Sequence, residues 1–253
     1  MLYKLDLHIH TPASSCYCDN VATRPVPATR PSDIIDGAIA RGLAAIAITD
    51  HNTVKGLEFL EEASRAADLC IFPGIEIGAR EGHVLALWDP GTPLDRLKNV
   101  LRDTGFNADS DGQGYWQTEL GMDQVFRAVR AAGGLAIAAH IDRRPKGFVA
   151  SPDLSLQEKK KIYASPDLHA VEITIVEDKK DWNRGKSPYL PGMACIQGSD
   201  AHAVDEIGRR PVYMDIPDLS VASLALAFSE FSTRIFFPFE LKDAGAACCA
   251  PAQ

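Results

Sequence analysis

The sequence predicts an α/β protein, built either as one parallel barrel or as a doubly wound sheet. Three observations predict it. Short apolar runs of the buried-strand type alternate with segments of helical period along the chain. Six of the seven histidines sit at the ends or beginnings of those runs. The 253 residues contain no internal repeat and no clear linker, and 46% of them are hydrophobic, enough for one substantial core.

The elements follow in order. "YKLDLHIH" reads as a first strand. "SDIIDGAIARG" is a helix, with Ser32 as N-cap and Gly42 as its stop. "LAAIAIT" is a buried strand and "VKGLEFLEEASRAA" an amphipathic helix. "LCIFPGIEI" and "HVLALW" are strands, and Leu94 to Leu101 form a helix. "FNADSDGQGYW" is polar and rich in Gly and Asp, so it is a loop. In "MDQVFRAVRAAGG", Met122, Val125, Phe126 and Val129 share one helical face. "LAIAAH" is a strand and "LSLQEKKKIYAS" a helix whose "EKKK" is a solvated face. "HAVEITIV", "ACIQGSD" and "VYMDI" are strands, and "SVASLALAFSEF" is a helix. Residues 1–240 are expected to form the domain, and 241–253 a flexible tail. In that tail Cys249 has four residues after it, one too many for a prenylation box.

Charge narrows the partners. The formal net charge is −8, so an extended nucleic-acid-binding face is not expected. Phosphate binding then requires cations in a pocket, and metal ions would supply them. No apolar run is long enough for a bilayer, and MLYKLDLH has no signal-peptide core. Six dispersed cysteines do not make a disulfide scaffold, which is consistent with a reducing cytoplasm.

The histidines carry the chemistry. His8 and His10 end the first strand and point to one face, because a strand repeats every two residues. His51 follows "AIAIT", His83 opens "HVLALW", His140 closes "LAIAAH" and His202 follows "ACIQGSD". Glu76 and Asp200 share these positions. In parallel α/β folds the C-terminal strand edge is where sites form. Mixed imidazole and carboxylate donors suit Zn, Mn or Fe, and the two oxygens of Glu76 can bridge two ions. A multinuclear metal site is therefore expected. His169 stands apart from the pattern and is expected to be structural.

Five ordered motifs, "DLHIHT", "AIAITDHN", "FPGIEI" with "GHVLAL", "AIAAH" and "GSDAH", resemble those of the PHP domain, the polymerase and histidinol phosphatase superfamily. The resemblance covers residues 1 to about 240. It implies a single distorted (β/α)7 barrel and a metal-dependent phosphoesterase holding two or three divalent ions, Mn, Zn or Fe. It implies His8, His10, Glu76 and Asp200 around a first ion, Glu76, His83 and His140 around a second, and His51 and His202 at a third. Asp6 and Asp50 would orient imidazoles from behind. Family members often carry Asp five residues, or His six residues, after the second His of the first motif. Ser15 and Cys16 stand there instead. Asp19 or Cys16 closes the third position, or it stays weak or empty.

Such a site implies attack by a metal-bound hydroxide, with His202 as a candidate proton carrier. Arg143 in "HIDRRP" and Arg209 in "EIGRRP" are placed to fork onto substrate phosphate. Tyr115 and Trp116 could stack on a ring, although loop aromatics more often pack locally. The expected substrate is a small phosphomonoester or nucleotide. The competing readings are a phosphodiesterase or nuclease, a regulatory module without turnover, and hydrolysis of an amide. The oligomeric state stays open.

Overall fold

The structure is a computed structural model that describes residues 1–17, 28–65, 67–144 and 147–243. Its strands are β1 (Leu2–Ile9), β2 (Ala45–Ile48), β3 (Cys70–Ala79), β4 (Gly82–Leu87), β5 (Leu135–Ala138), β6 (Ala170–Glu172), β7 (Cys195–Ile196), β8 (Val212–Asp215) and β9 (Ile235–Phe236). They form one sheet in the order β7-β6-β5-β4-β3-β2-β1-β8-β9. The sheet curls until the end of β1 meets the segment that follows β7. Ile9 bridges Ala201, just past β7, in the parallel sense, and the His10 N–H donates to the Ala201 carbonyl at 2.9 Å. Strands β1 to β7 thus make a nearly closed barrel. β8 pairs antiparallel with the other end of β1, from Leu2 to Leu5.

Strict βα alternation breaks at β3 and β4. Only Arg80 and Glu81 separate these strands, too few for a crossover helix, so they pair as an antiparallel hairpin. The reversal matters for the site. It brings the start of β4 to the edge where the other strands end. That is why His83 opens its strand while the other clustered histidines lie at or beyond strand ends.

The helices are α1 (Pro31–Ala40), α2 (Lys55–Ser64), α3 (Leu94–Asp103), α4 (Met122–Ala131), α5 (Leu156–Tyr163), α6 (Lys179–Arg184), α7 (Val221–Ser229), α8 (Phe231–Arg234) and α9 (Pro238–Asp243). α1 starts one residue before Ser32. Arg30 is its N-cap, and its N–H donates to Asp33 Oδ2 at 2.8 Å. Gly42 stops the helix as expected, with a φ of +65° that favours glycine. In α4 the four residues of the apolar face are buried.

The sequence under-reads the C-terminal third. β6 ends at Glu172, because Asp142 takes the N–H groups of Thr174 and Ile175 at 2.7 and 2.8 Å and turns the chain out of the sheet. α6 and α8 are six and four residues long, too short to display a helical period. The buried ammonium of Lys179 on α6 donates to the Ile235 carbonyl at 2.9 Å and to Glu240 at 2.7 Å, fastening β9 and α9 to the barrel. α9 therefore carries residues 241–243, which the sequence assigned to the tail. Residues 244–253 lie outside the described residues, as do Cys18 and Asp19.

The core has two parts. The larger contains Trp88, Phe72, Phe126 and Trp182. The smaller packs Ile34 and Ile35 of α1 and Leu60 of α2 against Ile9, Ile46 and Ile48. Each such aliphatic side chain contributes about 1.5–3 kcal/mol when fully buried. His169 lies away from the six other histidines, where its Nδ1 accepts the Ala136 N–H at 3.2 Å. No helix among the described residues is long and apolar enough to cross a membrane.

Candidate metal centre

Six imidazoles and two carboxylates converge at one end of the barrel. His8 Nε2 and His10 Nε2 are 3.2 Å apart. Glu76 Oε2 lies 3.3 Å from the first and 3.2 Å from the second. Asp200 Oδ1 lies 3.3 and 3.1 Å from the same two atoms. Ligands held about 2.0–2.2 Å from one ion stand roughly 3 Å from one another, so this spacing fits a shared cation. Around the other face of Glu76, His83 Nδ1 is 2.7 Å and His140 Nε2 3.0 Å from Oε1. His51 Nδ1 is 3.0 Å from Oε2.

The potential ligand atoms fall into three overlapping groups: His8, His10, Glu76 and Asp200; His51, Glu76 and His83; and His10, His51 and His202. The first is the set expected for a first ion. The second pairs His83 with His51, while His140 approaches Glu76 without joining that group. Fit to metal is supported by atoms with no other partner. His83 Nε2 and His140 Nδ1 are buried without a hydrogen-bond partner among the described residues, and Glu76 Oε2 makes no hydrogen bond there although three imidazoles crowd it. Each such atom costs about 1–3 kcal/mol if left alone. Cations among these donors would relieve that cost.

The groups behind the imidazoles select the atom each presents. Glu172 accepts from His8 Nδ1 at 3.0 and 3.1 Å, leaving Nε2 facing Glu76 and Asp200. The Ser14 hydroxyl donates to Asp50 Oδ1 at 2.6 Å, so its lone pairs accept from His10 Nδ1 at 3.0 Å and from the His51 N–H at 3.1 Å. His202 Nδ1 donates to the Asp200 carbonyl at 2.9 Å. Asp50 thus reaches His10 only through Ser14. Asp6 touches no imidazole side chain. It accepts the N–H groups of Ser199 and Gly208 at 3.0 and 2.7 Å, so it holds the loop bearing Asp200. Glu172 and Ser14 were not picked out in the sequence. The available signal for Glu172 was one acid in an otherwise apolar strand.

Backbone and charge reflect the crowding. His140 and Asp200 have φ of +29° and +48°, and Asn52 beside His51 has +53°. Non-glycine residues there store about 1–3 kcal/mol each, commonly at functional sites. Burial would raise the Glu76 carboxyl, but His51, His83 and His8 hold it well below the usual range. Burial is likewise outweighed at Asp200, where His8 and His10 keep the carboxyl well below its ordinary value. For His8 burial acts downward, yet Glu172, Asp200 and Glu76 raise it well above the usual imidazole range. At His83 burial prevails and lowers the ring. Cys16 Sγ sits 3.1 Å from His202 Nε2. Burial pushes that thiol up, but His202 and His51 bring it down to about 6.

The two expected phosphate-binding arginines part company. Arg143 pairs through Nη1 with Asp200 Oδ2 and lines a cavity of about 530 Å3 above the cluster. Arg209 is turned away. Its Nε and Nη2 donate to the Ser199 carbonyl at 3.1 and 2.9 Å and its Nη1 to Glu206 at 2.6 Å, so the fork read as a phosphate clamp holds the protein's own loop.

The PHP domain family matches residues 6–143, more than half of the chain and most of these ligand positions. The chain belongs to the PHP domain family. The PHP family is one of metal-dependent phosphoesterases, hydrolases of phosphoric esters. An uncharacterized protein from Methanocaldococcus jannaschii is 27% identical over 137 residues, which are 54% of this chain and 67% of that protein. The PHP fold is shared with the lesion-specific endonuclease Q of Pyrococcus furiosus, at a TM-score of 0.69 and 16% identity, covering 92% of this chain and 57% of that one. It is shared too with a two-domain protein from Bacteroides vulgatus containing a predicted PHP-like metal-dependent phosphoesterase, at 0.59 and 18%, covering 94% and 65%. This chain therefore spans less than two thirds of either structure. An endonuclease Q complex with a 27-mer duplex carries an abasic lesion at its active site, with a TM-score of 0.68 to this chain. The expectation against extended nucleic-acid binding stands in conflict with that complex. It rested on net charge, and on this fold in another protein a duplex is bound.

Proposed function

We propose that the chain hydrolyses phosphate esters, with a nucleotide or another small phosphomonoester as substrate. Glu76 carries the reading. Its buried carboxylate stands between two sets of imidazoles, where two cations held close together would share it. His8, His10, Glu76 and Asp200 would hold one divalent ion, and Glu76, His83 and His140 a second. When bound, such ions supply positive charge to the phosphoryl oxygens and activate water. Arg143 faces the same cavity with its side chain 40% exposed, and its remaining donors would hold a phosphate oxygen. Residues 1–243 would act as one unit, since α9 is tied to α6 by Lys179.

His51 and His202 would hold a third ion. Cys16 lies beside both, with His10 also within reach, which supports Cys16 as their companion, and a thiolate there would favour Zn over Mn or Fe. A ligating His202 does not also carry the leaving-group proton. The Co(II)-substituted protein tests the companion. Wild type is expected to show a thiolate-to-cobalt charge-transfer band that Cys16→Ser removes, along with one bound ion. A band unchanged by the substitution would refute the assignment.

Cleavage of a phosphodiester is the second reading, favoured by the duplex in the endonuclease Q complex. Chelator-treated protein is expected to release no phosphate, and Mn, Zn or Fe(II) to restore release from nucleoside monophosphates or sugar phosphates. Restored cleavage of short oligonucleotides without phosphate release would select the second reading. Reloaded protein that turns over none of these substrates would sink both.

A further inference from the structure

The loop over the metal centre is fastened on both sides of Tyr115. The Ser15 N–H donates to the Gly112 carbonyl at 2.9 Å, and Asn52 Nδ2 donates to the Gln113 and Trp116 carbonyls at 2.9 and 3.3 Å. The Thr118 N–H donates to the Gly78 carbonyl at 2.8 Å. Gly114 lies so close to His51 that an added Cβ would stand 2.7 Å from the ring. The backbone around Tyr115 is thus built against a residue of the centre and its neighbours. Yet Tyr115 itself is 70% exposed and lines the same cavity as Cys16, His51, Arg143 and His202. Most of its ring is therefore left open among the described residues.

A cavity of about 530 Å3 is far larger than a bare phosphate needs. It lies within the range of roughly 300–1,000 Å3 that takes a complete small ligand. Anchored aromatic rings left open at such a site are stacking platforms, because any planar base can lie on them.

We infer that Tyr115 stacks on the base of a nucleotide whose phosphate sits among Arg143 and the metal ligands, making this loop the determinant of a ring-bearing substrate. This rests on the phosphoesterase reading and assigns its substrate class. Tyr115 is then a specificity residue, remote from the reacting atoms.

The test measures calorimetric binding of adenosine 5′-monophosphate, a dinucleotide and inorganic phosphate to the metal-loaded protein. Wild type is expected to bind one of the two nucleotide probes more tightly than phosphate. The tighter of the two tells whether a free nucleotide or a strand end is taken. Tyr115→Ala is expected to weaken that binding about tenfold and leave phosphate unchanged, while Tyr115→Phe retains it. Equal weakening of all probes by Tyr115→Ala, or no preference over phosphate in wild type, would overturn the inference. Turnover separates the two claims. A base-dependent affinity with no hydrolysis of any ester defeats the phosphoesterase reading and keeps the stacking. Hydrolysis of glycerol phosphate and adenosine 5′-monophosphate at equal efficiency in wild type and Tyr115→Ala does the reverse.

Discussion

Glu76→Gln is expected to abolish turnover, lowering kcat by roughly a thousandfold or more. That corresponds to the several kcal/mol that ion charge contributes to a phosphoryl-transfer transition state. Both oxygens of Glu76 face imidazole nitrogens, Oε2 towards His8, His10 and His51 and Oε1 towards His83 and His140. Glutamine keeps the shape but removes the negative charge. Whichever way its amide turns, an NH2 group that cannot ligate faces one set of rings. Elemental analysis is therefore expected to find fewer ions bound, in a protein whose circular dichroism matches wild type. Turnover within tenfold of wild type, or an unchanged metal count, would contradict the shared-carboxylate arrangement. Asp200 gives a weaker contrast, because its second oxygen already meets Arg143 and its loss disturbs that guanidinium too.

Much of this arrangement could be read from the chain because a ligand is a residue type at a strand end. His8 and His10 share a face by strand period alone. Glu76 stands out as an acid inside "FPGIEI". The residues that orient the ligands were harder to read, since their roles depend on contacts distant in sequence. Asp6 pairs with Ser199 and Gly208 across 193 and 202 residues, and nothing near it in the chain says that its partners are N–H groups and not imidazoles. Arg209 looked like a phosphate clamp because "EIGRRP" follows His202, but the turn it closes onto Ser199 exists only in three dimensions. The fold shows the same division. The apolar period of α4 is local and was legible, whereas the reversal of β4 follows from a two-residue connection whose meaning appears once β3 and β5 flank the strand.

Glu172→Gln is expected to weaken metal binding about 10- to 100-fold although residue 172 does not join the cluster of ligand atoms. The carboxylate accepts from His8 Nδ1 through both oxygens, and its Oε2 also takes the His140 N–H at 2.9 Å. One side chain at the end of β6 therefore sets two ligand-bearing residues, one on β1 and one just past β5. Gly198 leaves room for it, since an added Cβ there would lie 2.4 Å from Glu172 Oε1. A glutamine amide turned towards His8 would donate to Nδ1, which forces the ring proton onto Nε2, the atom that faces Glu76 and Asp200. Competition with a chelator of known affinity reads the binding loss directly, and 15N chemical shifts of the metal-free protein report the His8 tautomer. A purely structural role for Glu172 predicts lower thermal stability with the tautomer and metal affinity unchanged. The positioning role predicts that both move, and that saturating metal restores a large part of kcat.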